Sequence, residues 1–309
     1  MAFREVYRKQ VELLIRILPF IAEEDCFALK GGTAINLFVR DMPRLSVDID
    51  LTYLPVLPRP ASLAAIDAAI KRISERIRRN LRGAQVTQTA TRPENAVYKL
   101  LIRVGGVQTK IEVTPVLRGC VYEPELRAVS RSVEETFGFA EVRVVSFADL
   151  YAGKIVAALD RQQPRDLFDI RDLLANEGID QTLRRAFLAY LLSHNRPMFE
   201  VLSPKRKSIQ AEFRRGFQGM TAERVSIEDL TNARESLIDL AVAGMPEPHR
   251  RFLLSFERGK PDWSLLELPG AADLPAVRWR LDNLAKLSPT ERAKLVSGLE
   301  TVLAKSKKK

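Results

Sequence analysis

The stretch that most constrains this chain runs from Leu29 to Tyr53, LKGGTAINLFVRDMPRLSVDIDLTY. A Gly-Gly-Thr turn opens a helix, a loop marked by Pro43 follows, and an apolar strand then carries Asp48 and Asp50. Side chains at i and i+2 of a strand share one face, so the two carboxylates stand side by side. In an apolar run, that pairing points to a divalent cation and a phosphate-bearing substrate. Consecutive glycines, Gly31 and Gly32, let the backbone approach a phosphate with no Cβ in the way. Thr33 adds a hydroxyl beside the unsatisfied N–H groups of a helix start, the elements of an anion site. Each half has a plainer explanation, an ordinary capped turn and a solvated strand end. Together they form the strongest functional signal in the chain.

The length, 309 residues, accommodates about two domains, and 46% hydrophobic residues can build cores. A formal net charge of +10 favours polyanionic partners, nucleic acid above all, against the plainer reading of a solvated basic surface. Cys26 and Cys120 have no metal-ligand spacing and read as reduced cysteines of a cytosolic protein. His194 and His249 read as surface or packing residues. The chain shows no secretory leader and no apolar run long enough to span a bilayer, so a cytoplasmic location without membrane attachment is expected. No heptad pattern appears, and a monomer is the expectation.

The pattern predicts an α/β chain: a small mixed-sheet domain followed by a mainly helical one. Helical spacing covers 4–20 and 62–82, strands are expected at 27–29, 47–53, 85–90, 96–104 and 107–113, and Gly105-Gly106 marks a two-residue hairpin. From Ser146, an N-cap with Asp149 as its capping-box partner, the pattern turns helical. Expected helices include 179–192, 221–242, 247–256 and 274–285, with a last one opened by the capping box Ser288-Pro289-Thr290-Glu291. The expected division is a catalytic domain over 1–145, a helical domain over 146–303 that closes the cleft, and a basic tail over 304–309.

Glu112 lies on the second hairpin strand, beside Lys110. If that strand neighbours the Asp48–Asp50 strand, Asp48, Asp50 and Glu112 form a three-carboxylate cluster, and such a cluster requires a cation. Oxygen ligands favour Mg²⁺ or Mn²⁺. Glu112 would then hold a second ion or act as base toward an incoming hydroxyl. Lys154 stands among small and apolar residues, where it either snorkels or pairs with a phosphate. Asp166, one loop later, is placed to order Lys154 or to contact a nucleotide, and Asp169 reads as structural. Arg40, Arg44 and Ser46 are candidates for further phosphate contacts. Arg72, Arg76 and Arg79 on the long helix, and the run Lys205-Arg206-Lys207, are candidate RNA surfaces.

GGTAINLF followed by RLSVDIDL resembles the first motif of the AbiEii/AbiGii toxin family, within the DNA polymerase beta-like nucleotidyltransferases. The matching positions are Gly31, Gly32 and Thr33, then Asp48 and Asp50, with Thr33 where Ser is common. Glu112 in KIEV best matches the third carboxylate, and Lys154 with Arg165, Asp166 and Asp169 matches the family's later motif. Trp263 or Trp279 fills the last motif only weakly. The resemblance implies a toxin of a two-gene toxin–antitoxin or abortive-infection system. It implies an NTP as substrate, Mg²⁺ or Mn²⁺ as cofactor, the 3′ hydroxyl of an RNA such as tRNA as acceptor, and a cognate antitoxin as partner. Alternatives are the same chemistry on a protein or small molecule, or a silent protein that only binds NTP or RNA. A kinase-like reaction is conceivable for a two-lobed layout, but the chain lacks the Gly-rich loop and the H-R-D and D-F-G motifs.

Overall fold

A computed structural model describes residues 3–305. The chain forms two compact units. One comprises the chain up to Leu150 together with Phe217–Arg224; the other comprises Tyr151–Gly216 and the chain from Val225 onward.

The first unit begins with helix α1 (Glu5–Ala22) and strand β1 (Phe27–Lys30). Helix α2 (Gly31–Ala34) follows and continues as a π-helical turn over Ile35–Val39. Strand β2 (Asp48–Tyr53) and helix α3 (Arg59–Asn80) come next; Pro60 suits the first turn of α3 because its missing N–H has no partner to lose. Strands β3 (Gln85–Ala90), β4 (Val97–Val104) and β5 (Val107–Arg118) complete the part expected from the hydrophobic pattern. Strand β6 (Glu125–Ala128), helix α4 (Arg131–Phe137) and strand β7 (Glu141–Val144) were not expected, since four-residue strands carry too short an alternation to register. The sheet is therefore larger than predicted. Its seven strands run in the order β3-β4-β5-β2-β1-β7-β6. β2 is parallel to β5 and β1 is parallel to β7; the other pairs are antiparallel.

Helices α1 and α3 pack on each other and cover the sheet at β4, β5 and β7. The alternate residues Ile49, Leu51, Leu100, Ile102, Ile111 and Val113 are fully buried. Burying side chains of this size contributes about 1.5–3 kcal/mol each relative to exposure. The period of two then sends Asp48, Asp50, Lys110, Glu112 and Lys99 to the other face.

Ser146 caps helix α5 (Phe147–Asp160): its hydroxyl accepts from the Asp149 N–H at 3.0 Å and donates to the Asp149 carboxylate at 2.7 Å. The same carboxylate accepts the backbone N–H groups of Val121 and Tyr122, tying the helix start to the strand β5 exit.

The second unit is helical. It contains most of α5, then α6 (Pro164–Asn176), α7 (Gln181–Leu192), the short α8 (Met198–Leu202) and α9 (Gln210–Gly216). After these come α10 (Ile227–Ile238), α11 (Glu247–Glu257), α12 (Pro275–Lys286) and α13 (Pro289–Lys305). Ser288 and Glu291 form the expected capping box of α13. That helix runs through the first two residues of the expected basic tail, and residues 306–309 lie outside the described residues. The helix expected from Thr221 starts only at Ile227, behind its own capping box of Ser226 and Asp229. Phe217–Arg224 instead returns to the first unit, where the Leu45 N–H donates to the Met220 carbonyl at 2.7 Å and Arg44 bridges Thr221. No helix among the described residues is long and apolar enough to cross a membrane.

Candidate active site

The glycines of the turn answer to close approach. Gly31 has φ +77°, and a Cβ there would stand 3.0 Å from Asp50 Oδ2. A Cβ on Gly32 would meet Arg44 Nη2 at 2.7 Å and Ser46 Oγ at 3.0 Å. The turn therefore lies directly against the acidic strand. Thr33 is the bolt between them: its hydroxyl donates to the Asp48 carbonyl and shares a 3.1 Å hydrogen bond with Ser46 Oγ. The side chains of Thr33, Arg44 and Ser46 are all buried, and Arg44 Nη1 donates to the Leu45 carbonyl at 3.0 Å. Arg44 and Ser46 thus pack against Gly32, while Asp50 packs against Gly31.

Strand register sets the charges on the open face. Asp50 lies opposite Lys30 on β1 and Glu112 on β5; Asp48 lies opposite Lys110; Glu112 lies opposite Lys99 on β4. Asp48, Asp50 and Glu112 thus occupy neighbouring strands on one face, as expected. Glu112 is nevertheless drawn onto the lysines, at 2.9 Å from Lys110 Nζ and 3.7 Å from Lys99 Nζ. Among the described residues no group of three His, Cys, Asp or Glu side chains is arranged to hold a metal ion, so the expected three-carboxylate cluster does not converge. The physical reason is the two ammonium groups, which neutralise Glu112 locally. Its carboxyl is held below the usual range: burial acts upward, but the Lys110 hydrogen bond and the charges of Lys110 and Lys99 outweigh it.

Asp50 differs. Burial raises its pKa despite the nearby Lys110 and Lys30, and Asp48 and Glu112 add to the rise. Asp48 and Asp50, two carboxylates on one sheet face, are oxygen ligands that fit a hard divalent cation. Lys30 was not anticipated. Burial lowers its pKa against the pull of Asp50, and its Nζ donates to Thr114 Oγ1 at 3.0 Å. Nothing in the local sequence marks Lys30, because its place opposite Asp50 comes from strand pairing.

A second charged group lies in the helical unit. Lys154 Nζ on α5 stands 2.9 Å from Asp166 and 2.9 Å from Asp169, both on α6, and all three side chains are buried. Arg161 Nε adds a 2.6 Å contact to Asp166. Lys154 is therefore neither snorkelling nor isolated. Although burial acts upward, Lys154 and Arg161 hold the Asp166 carboxyl well below the usual carboxylate range. Arg165 is half-buried on the same helix.

Part of the expected RNA surfaces is engaged within the chain. Arg72 and Arg76 clamp the buried Glu24, at 2.6 Å and 2.7 Å, and Arg76 also reaches Glu23. Arg206 pairs with Glu235 at 2.7 Å, and Lys207 Nζ donates to the Asp160 carbonyl. Trp263 packs on Phe252 and Phe256, whereas Trp279 is exposed.

The paired carboxylates beside a glycine turn, on a mixed sheet followed by helices, are the features of a nucleotidyltransferase. The chain belongs to the family described as nucleotidyl transferase AbiEii toxin, type IV toxin–antitoxin system, whose profile matches residues 12–283. Among solved structures it is similar to MenT4, a nucleotidyltransferase toxin from Mycobacterium tuberculosis, with 17% identity, 98% of this chain and 95% of that chain covered, and a TM-score of 0.48. It is also similar to terminal uridylyl transferase 4 from Trypanosoma brucei with bound GTP, with 12% identity, coverage of 99% and 92%, and a TM-score of 0.31. No curated protein matches the chain.

Proposed function

We propose that this nucleotidyltransferase toxin transfers an NMP from an NTP to the 3′ hydroxyl of RNA, with tRNA as acceptor. It acts in the cytoplasm as a monomer and is opposed by a cognate antitoxin. The observation that carries the reading is the contact of the Gly31–Gly32 turn with Asp50, beside Asp48 on one sheet face. Asp48 and Asp50 would hold Mg²⁺ or Mn²⁺. When bound, the cation offsets phosphate charge and orients in-line displacement.

The chain's own groups do the rest. Gly31 and Gly32 let the turn lie against Asp50, Arg44 and Ser46 with no Cβ in the way, and the first backbone N–H groups of the helix would meet phosphate oxygens. Lys30 and Lys110 limit the repulsion between Asp50 and an incoming polyanion. In the helical unit, the resemblance assigns Lys154 and Arg165 to nucleotide binding, and Asp166 with Asp169 holds Lys154 in one position. The acceptor 3′ oxygen bonds to the α-phosphorus, the bond to the β-phosphate bridging oxygen breaks, pyrophosphate leaves, and the hydroxyl proton passes to water. Glu112 is a poor base for that proton, because two lysines stabilise its charged form.

The test is incubation with total tRNA, Mg²⁺ and each α-labelled NTP in turn, beside the Asp48→Ala/Asp50→Ala variant. Label should enter RNA with the wild type and be lost with the variant. Label entering a protein or small molecule, or no label and no pyrophosphate with any acceptor, would overturn the RNA assignment.

A further inference from the structure

On the open face of the sheet, beyond the carboxylates, strands β5, β4 and β3 carry polar and cationic side chains in register. Lys110 on β5 lies opposite Leu101 on β4; Lys99 lies opposite Thr89 on β3; Leu101 lies opposite Thr87. Arg103 lies opposite Gln108 and its Nε donates to Gln108 Oε1 at 2.7 Å. Thr87, Thr89, Arg103 and Gln108 are exposed, and Lys99 and Lys110 are partly so. The only carboxylate in these rows is Glu112, and it ties Lys110 and Lys99 together at the edge of the acidic site.

The strand order gives this face its direction. The glycine turn follows β1, the carboxylates sit on β2, and the cationic rows follow on β5 and β4. In-line displacement places the attacking and leaving oxygens on opposite sides of the phosphorus. If pyrophosphate departs on the glycine side, the acceptor enters from the β5 side. We infer that the open face of β5, β4 and β3, with Lys110, Lys99 and Arg103 as its cations, is the binding platform for the phosphodiester backbone of a single-stranded acceptor leading its 3′ end to Asp48 and Asp50. This rests on the nucleotidyl-transfer reading above.

Lys99 and Arg103, four residues apart on one strand, span about 13 Å, or roughly four stacked nucleotides at ~3.4 Å each. Backbone contacts without aromatic stacking give affinity with little sequence readout. The threonine hydroxyls and the Gln108 amide can donate to phosphate or ribose oxygens.

The test measures fluorescence anisotropy of a labelled single-stranded RNA without NTP, across a salt series. The variant is Lys99→Met/Arg103→Met/Lys110→Met, and the control is Arg8→Met/Arg131→Met, which removes surface charge elsewhere on the same unit. Far-UV circular dichroism confirms folding. The triple variant should weaken binding at least tenfold at low salt. It should also flatten the slope of log Kd against log salt by about 2, since each single-strand phosphate contact contributes about 0.7. Glu112→Gln, which removes the carboxylate held by Lys99 and Lys110, should tighten binding severalfold. No RNA binding by the wild type, or equal losses in triple variant and control, would overturn the platform.

Transfer kinetics separate the two readings. In the Lys99→Met/Arg103→Met variant, which keeps Lys110 beside the carboxylates, a raised acceptor KM with unchanged NTP KM supports the platform, whereas a raised NTP KM alone assigns these cations to the triphosphate and overturns it. RNA binding through this face without nucleotidyl transfer would sink the proposed function and leave the platform standing.

Discussion

Gly31→Ala tests whether the turn is built around the acidic strand. Two separable costs follow from the structure. The residue sits at φ +77°, where a Cβ costs about 1–2 kcal/mol. The new methyl would also lie 3.0 Å from Asp50 Oδ2, so the carboxylate must give by a few tenths of an ångström. A 1 Å misplacement of a reacting group can cost about 100-fold, so 0.3 Å on that scale costs roughly fourfold. Gly83 provides the control, because it has the same φ of +77° with nothing within 4 Å of its Cβ position. Thermal unfolding should place both variants about 2–8 °C below wild type, at about 2–4 °C per kcal/mol for a unit of this size. Nucleotidyl transfer by Gly31→Ala should fall about three- to fivefold in kcat/KM, while Gly83→Ala keeps wild-type activity. Equal activities for the two variants would refute the claim that the turn positions Asp50.

Further outcomes follow from the buried charges. Lys154→Met leaves Asp166 and Asp169 buried without their shared ammonium, so urea unfolding should show a loss of about 3–5 kcal/mol, and a loss under 1 kcal/mol would contradict the burial of that pair. The Asp166 carboxyl has a folded pKa below its unfolded value of about 3.9, so its stabilisation is complete above about pH 5 and declines as pH falls toward the folded value. Wild type should therefore lose stability more steeply below pH 4 than Asp166→Asn, and parallel profiles would remove Asp166 as the cause. Burial pushes the Cys26 thiol up to about 11 and the Cys120 thiol up to about 12. At pH 8 iodoacetamide should then alkylate both more than about 100-fold slower than a free cysteine of pKa about 8.5, and peptide-like rates would show the thiols to be exposed.

What could be read from the chain was local. The Gly-Gly-Thr turn, the shared face of Asp48 and Asp50, and the capping boxes at Ser146 and Ser288 depend on residues within a few positions of one another. Turn sterics and the period of a strand decide such features wherever they occur. The helical character of the second half followed from periodicity for the same reason, while the four-residue strands β6 and β7 were too short to show it.

Only the tertiary structure decided which distant residues meet. Strand order brought Lys30 to Asp50 and both Lys99 and Lys110 to Glu112, pairings that no local pattern announces. The fold took Arg72 and Arg76 from an expected RNA surface and set them on Glu24. It returned Phe217–Arg224 to the first unit against Leu45 and Arg44, across more than a hundred residues of chain. Sequence by itself determined the turn and the acidic strand because backbone geometry is local. Pairing partners, and with them the charge on each carboxylate, depend on burial and register, which exist only once the sheet has closed.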